Sequence, residues 1–145
     1  MGKPLFIFLT TLVCIIAVVA AKGCTFSKGW TINVINNINN NDKVQVHCKS
    51  KDNDIGMKSL GFHESINWEF CENIVGPSTL YFCHFYKGNQ QLVFDVFNHS
   101  MRPLCHEQDA SKEYWRCSWV IMSDGIYMID RSNGPEHNNK MYSWN

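Results

Sequence analysis

The sequence predicts an all-β fold, an antiparallel β-sandwich of two sheets with about seven to eight strands, stabilised by disulfides. Three observations lead there. Apolar and polar residues alternate with period two in run after run, whereas no stretch sustains helical periodicity over the roughly 10–12 residues of a substantial helix. Turn-forming residues separate the runs. Six cysteines are spread through the chain behind an apolar leader.

The leader comes first. Lys3 precedes an uncharged apolar run over residues 5–20, and Ala20 and Ala21 supply the small residues a signal peptidase accepts. This is the layout of a secretory signal peptide over residues 1–21. A transmembrane anchor is the competing reading, but the run falls short of the roughly 20 residues that span a bilayer. Removing 21 of 145 residues leaves 124, the size of one domain over 22–130 with a tail over 131–145. The mature chain then carries 12 basic and 13 acidic side chains, a net of −1. With no basic excess, neither nucleic acid nor direct membrane insertion is expected after cleavage. The expected location is secreted and extracellular.

Seven alternating runs follow in order. Residues 30–36 place Trp30, Ile32 and Val34 on one face, and residues 43–48 place Val44, Val46 and Cys48 on one face; an Asn-rich turn joins them. Residues 65–70 form a short strand. Residues 79–86 and 91–97, rich in aromatic and β-branched residues, make a second hairpin around Gly88-Asn89. Residues 117–122 and 125–130 make a third around Asp124-Gly125. Two long connections, 50–63 and 98–116, read as loops. The segment 131–145 reads as a loosely ordered tail, from which Tyr142 and Trp144 either stay free or dock on the body.

Cys14 departs with the leader, leaving Cys24, Cys48, Cys71, Cys83, Cys105 and Cys117. An even number in a secreted chain implies a disulfide framework, and the residues alone leave every pairing open. No C-x-x-C pair of the kind that binds zinc is present, so no metal and no cofactor is expected. The run Asp52-Asn53-Asp54-Ile55-Gly56 faintly resembles a calcium loop but lacks its terminal Glu at the required offset, and reads as a solvated turn.

Six histidines survive processing: His47, His63, His84, His99, His106 and His137. Two of them with an acid or a lysine would suit a small secreted hydrolase such as a ribonuclease. None sits in a motif, and the charge balance offers no phosphate groove, so surface histidines are the plainer reading. Asn98-His99-Ser100 is a sequon that makes Asn98 a candidate glycosylation site.

The order of the motifs carries a resemblance. Val46-His47-Cys48-Lys49-Ser50-Lys51-Asp52-Asn53-Asp54-Ile55-Gly56 is followed by Trp68-x-Phe70, by Thr79-Leu80-Tyr81-Phe82-Cys83-x-Phe85, by Phe94-Asp95-Val96, and by Cys105, Cys117-x-Trp119 and Asp124-Gly125-Ile126-Tyr127. With Asn36 ending the first strand, this series over residues 30–129 resembles the plant self-incompatibility S-protein homologue family. The resemblance implies a secreted plant protein, a sandwich of two antiparallel sheets, no enzymatic activity, and a role as an extracellular ligand or signal recognised by a cell-surface membrane protein. It assigns four family cysteines to Cys48, Cys83, Cys105 and Cys117 and leaves Cys24 and Cys71 as additions. The implied bridges are Cys24–Cys71, Cys48–Cys117 and Cys83–Cys105. Partner contacts are expected in the loops 51–58 and 106–116, through Lys51, Asp52 and Asp54 and through Glu113, Tyr114, Trp115 and Arg116. A secreted hydrolase and a membrane-active defence protein are the alternatives; the latter lacks an amphipathic helix.

Overall fold

The computed structural model describes residues 23–105, 107–109, 114–131 and 135–145. The segment 1–21, expected to be a signal peptide, and the candidate contact Glu113 lie outside the described residues. The described residues contain ten strands: β1 (Gly29–Asn36), β2 (Val44–Lys49), β3 (Asp54–Leu60), β4 (Ser65–Cys71), β5 (Tyr81–Lys87), β6 (Gln90–Phe97), β7 (Glu107–Asp109), β8 (Tyr114–Met122), β9 (Gly125–Asp130) and β10 (His137–Ser143). A short 3-10 helix, His99–Leu104, follows β6.

The strands form two layers. The larger sheet runs β10-β9-β8-β1-β4, with β7 beside β8, and the smaller runs β3-β2-β5-β6. The inner faces carry the alternating apolar rows. Trp30, Ile32 and Val34 of β1 meet Trp119 and Ile121 of β8 on one layer, and Val46, Phe85, Phe94 and Val96 line the other. Trp30 and Phe97 touch across the layers with ring centroids 4.9 Å apart, and Phe94 and Trp119 do so at 5.1 Å. Burying side chains of this size stabilises by roughly 1.5–3 kcal/mol each, which makes this row the main support of the fold.

One pairing departs from the expected antiparallel pattern. β1 and β8 run parallel, from Trp30 opposite Trp115 to Asn36 opposite Ile121. The chain passes to the smaller sheet after β1, returns to the larger one at β4 antiparallel to β1, adds β5 and β6 to the smaller sheet, and re-enters at β8 on the other side of β1, in the same direction. Such a crossover yields a parallel neighbour, which no local pattern encodes.

The segment 50–63, expected to be a loop, contains β3, which pairs with β2 from Val44 opposite Leu60 to Lys49 opposite Asp54. The connection 98–116 contains the 3-10 helix, β7 and the start of β8. The segment 131–145, expected to be loosely ordered, contains β10, antiparallel to β9, so the larger sheet extends past Asp130. Tyr142 stacks on Phe94 at 4.0 Å, and the Trp144 indole donates to the Met122 carbonyl at 2.9 Å. β3, β7 and β10 all lie at or beside a sheet margin. There a strand needs few core-facing residues, so its alternation fades from the sequence.

The disulfides correct two expected pairings. Cys24 joins Cys71. Cys48 joins Cys83 rather than Cys117, and Cys105 joins Cys117 rather than Cys83. Cys48 and Cys83 stand directly opposite each other on β2 and β5, with Cα atoms 4.0 Å apart, so the bridge lies within one sheet. The 3-10 helix delivers Cys105 to β8 within 4.6 Å of the Cys117 Cα. On the chain-entropy account, these loops of 12 to 47 residues confer about 3–4 kcal/mol apiece.

Candidate functional site: a cleft and an apolar loop tip at one end of the sandwich

One end of the sandwich is built by the β2–β3 turn, residues 50–53, and the β4–β5 connection, residues 72–80. The turn is closed by two bonds: the Ser50 amide donates to the Asn53 carbonyl at 2.8 Å, and the Asn53 amide donates to Ser50 Oγ at 3.1 Å. The longer connection is clasped at its neck, where the Asn73 amide donates to Thr79 Oγ1 at 2.8 Å and Asn73 Nδ2 donates to the Pro77 carbonyl at 3.4 Å. Gly76 supplies the left-handed turn at the tip with φ of 88°. The clasp holds Ile74 and Val75 out in solvent, 66% and 84% exposed.

Between these two segments opens a cleft of about 400 Å³. Phe70, Leu80, Tyr81 and Phe82 give it apolar walls, and Lys51 and Asp52 lie on its rim. Asn53 Nδ2 approaches Tyr81 Oη at 3.4 Å across it, and the Lys49 ammonium lies 5.7 Å from the Phe82 ring.

The sequence-derived contact residues divide into two groups. Lys51 and Asp52 border the cleft. Asp54 opens β3 beside them, where its Oδ1 accepts from the Gly56 amide at 2.8 Å and lies 2.7 Å from His47 Nε2. The amide first, then His47, hold this carboxyl below the usual carboxylate range. Tyr114, Trp115 and Arg116, by contrast, are not on a loop. They are half-buried in β8, between β1 and β7. The Tyr114 ring lies over Gly29, where any Cβ would collide with it, and its hydroxyl is 3.6 Å from Cys24 Sγ. Trp115 packs against the core, with the Lys28 ammonium 5.6 Å from its ring. Pairing on both sides places these residues within the larger sheet. The sequence reading missed Ile74 and Val75. Two adjacent β-branched residues before Gly-Pro, with no strand to join, were the available signal.

The histidines distribute unevenly. His47 and His84 stand opposite each other on β2 and β5, on the outer face of the smaller sheet. His84 Nδ1 is 2.8 Å from Tyr86 Oη and its Nε2 is 3.0 Å from Gln91 Oε1, so both ring nitrogens are engaged. His63 stacks on Phe62 in the β3–β4 turn, and His99 Nδ1 lies 3.7 Å from Glu72 Oε1. His137 starts β10, and His106 lies outside the described residues. None of the described histidine rings lines the cleft. Among the described residues no group of three or more His, Cys, Asp or Glu side chains is placed to hold a metal ion. Asn98 precedes the 3-10 helix; its Nδ2 donates to Asp95 Oδ2 at 3.2 Å and its Oδ1 is buried without a partner.

A family model described as plant self-incompatibility protein S1 matches residues 31–144. The chain belongs to that family. Among Arabidopsis thaliana relatives, S-protein homolog 1 is 30% identical over 108 residues, covering 74% of this chain and 67% of that protein. S-protein homolog 18 is 32% identical over 114 residues, 78% of this chain and 79% of that one. A solved self-incompatibility protein homologue, from a group described as small, highly stable, secreted plant proteins, shares the fold. Its TM-score is 0.56 at 20% identity, covering 83% of this chain and 98% of that one. This S-protein homologue is accordingly a small, secreted, extracellular plant protein. The match begins at Thr31 and so omits Cys24, whose bridge to Cys71 fastens the segment before β1 to the wall of the cleft.

Proposed function

We propose that this S-protein homologue is an extracellular ligand, recognised by a cell-surface membrane protein through the cleft end of its sandwich. The observation that carries this reading is the pair Ile74 and Val75, aliphatic side chains held in solvent by a clasped loop beside an open cleft. Adjacent exposed apolar residues rimmed by polar ones mark an interaction site. The clasp reduces the ordering cost on association. A solvent-facing loop tip gains nothing for stability from either side chain.

A hydrolase is the competing reading, and the pairing of His47 with His84 beside Asp54 is the feature that favours it. Those rings lie on an open sheet face, away from the cleft, and both His84 nitrogens and His47 Nε2 are engaged by neighbouring side chains. The arrangement provides no enclosed place for a substrate, so the ligand reading is preferred.

The test is capture of plant plasma-membrane proteins on the oxidised chain, residues 22–145, comparing wild type with Ile74→Asp/Val75→Asp. Saturable binding of a membrane protein that the variant loses, while its circular dichroism and melting temperature are unchanged, supports the reading. Equal binding by both proteins refutes this location for the recognition surface.

A further inference from the structure

The sheet edges of this protein are protected unequally. β3 carries Lys58 on its exposed stretch and its register with β2 shifts at Cys48/Lys49. β10 carries Lys140 and its register with β9 shifts between Lys140 and Tyr142. β6 has its Val96 carbonyl occupied by the Trp119 indole at 3.1 Å, and its inward residues are sealed in the core. β7 is three residues long. Lysines, bulges, covers and brevity are the devices that keep an edge from accepting another strand.

Among the described residues β4 shows no lysine, bulge or cover, and its one charged side chain is Glu69. The strand closes the larger sheet with β1 as its one neighbour. Its seven residues keep unbroken register with β1, from Gly29 opposite Cys71 to Ile35 opposite Ser65. It contains no lysine, arginine or proline. Ile66 and Phe70, which alternate with the buried Trp68 on the core-facing side, are only half-buried, so the seam beside this strand is open. Its last two residues, Phe70 and Cys71, form part of the cleft wall.

The geometry points to recognition by strand addition: an extended peptide segment of the partner pairs with the free edge of β4 and places one apolar side chain in the cleft. Main-chain hydrogen bonds along the edge would supply affinity, and the pocket at its end would select the side chain. Phe70, Leu80, Tyr81 and Phe82 suit an aliphatic or aromatic group there. Continuity between the edge and the cleft favours a single extended chain over a second copy of this protein. This inference rests on the cleft end being the recognition surface and adds the form the partner takes.

The test selects linear peptides of about ten residues from a displayed random library against the oxidised chain and synthesises the best binder. Three results are expected. Amide exchange along β4 slows at least about tenfold on binding. Methylating alternate peptide nitrogens weakens binding by about tenfold or more for one alternate set. Leu80→Asp, in the cleft wall, weakens it comparably while the protein stays folded. Protection confined to other strands, or indifference to methylation in both sets, overturns the proposal. So does a library that yields no binder while membrane-protein capture persists. A concentration-dependent dimer that protects β4 in the free protein also overturns it, by giving the edge to a second copy. Failure of membrane-protein capture alone would sink the receptor reading and leave a strand-adding peptide standing.

Discussion

Replacing Asn36 by alanine should be among the most damaging single changes outside the hydrophobic core. Asn36 is fully buried at the end of β1. Its Nδ2 donates to the Leu60 carbonyl at 2.9 Å, and its Oδ1 accepts from the Ile38 amide at 3.0 Å. Its main chain also takes the Glu64 carbonyl at 3.0 Å and the His63 amide at 2.8 Å. One residue therefore ties the central strand of the larger sheet to the end of β3 and to the β3–β4 turn. Truncation to alanine leaves the main-chain bonds and removes both side-chain ones. Two buried backbone groups, the Leu60 carbonyl and the Ile38 amide, lose their partners at roughly 1–3 kcal/mol each, for about 3–4 kcal/mol in total. For a domain of this size that lowers the melting temperature by about 10–15 °C. Urea unfolding of the oxidised protein, followed by tryptophan fluorescence and circular dichroism together, measures the change and checks that the transition is two-state. The exposed neighbour changed in parallel, Asn39→Ala, should alter stability by less than about 0.5 kcal/mol. A loss below about 1 kcal/mol for Asn36→Ala would refute the reasoning, because the freed groups would then have found other partners.

Two further outcomes follow from charged groups. Glu72 is 5% exposed and is held by the Trp30 indole at 3.1 Å and by Arg102 Nε at 2.9 Å. Arg102→Ala leaves that carboxylate buried without its cation and should destabilise by about 2–3 kcal/mol, less than a fully buried pair because Arg102 is partly exposed. Arg102→Ala/Glu72→Gln should recover part of the loss in the same denaturation assay, and no recovery would point to lost packing instead. At the β8–β9 turn, Asp124 accepts from Lys140 at 2.9 Å and from the Tyr127 hydroxyl at 2.7 Å. The Lys140 bond first, then Tyr127, hold the Asp124 carboxyl below its ordinary range, and the carboxylate holds the Lys140 ammonium above its own. A depressed carboxyl contributes stability above its unfolded value of about 4, and that contribution is lost as pH falls through the lower folded value. The protection of β10 amides relative to their intrinsic exchange rates should therefore fall below about pH 4 in the wild type, and should already be lower at neutral pH in Asp124→Asn.

The strands that pack one face on the core were legible in the sequence. β1, β2, β5, β6, β8 and β9 turn alternating apolar residues toward the core, and that alternation is the sandwich. β3 and β10 escaped because Asp54–Leu60 and His137–Ser143 turn largely polar residues to solvent and are held by backbone pairing. Backbone bonds leave no mark on side-chain pattern. Of the candidate contacts, Lys51 and Asp52 reach the cleft rim, whereas Tyr114, Trp115 and Arg116 were assigned to a loop because the extra turn of strand at the start of β8 has no alternation to reveal it.

By itself, then, the sequence determined the family, the all-β class, the disulfide framework as a set of six cysteines, and the rows that fill the core. Each of these is written in local spacing or in residue type. Tertiary structure decided the rest: which cysteines meet, that β1 and β8 run parallel, that the C-terminal segment closes a sheet, and that the segments 50–53 and 72–80 enclose a cleft beside the end of β4. These depend on which strands become neighbours after the chain has crossed between layers. Cys48 reaches Cys83 rather than Cys117 because β2 and β5 share a sheet in register, a relation set by the packing of the whole domain.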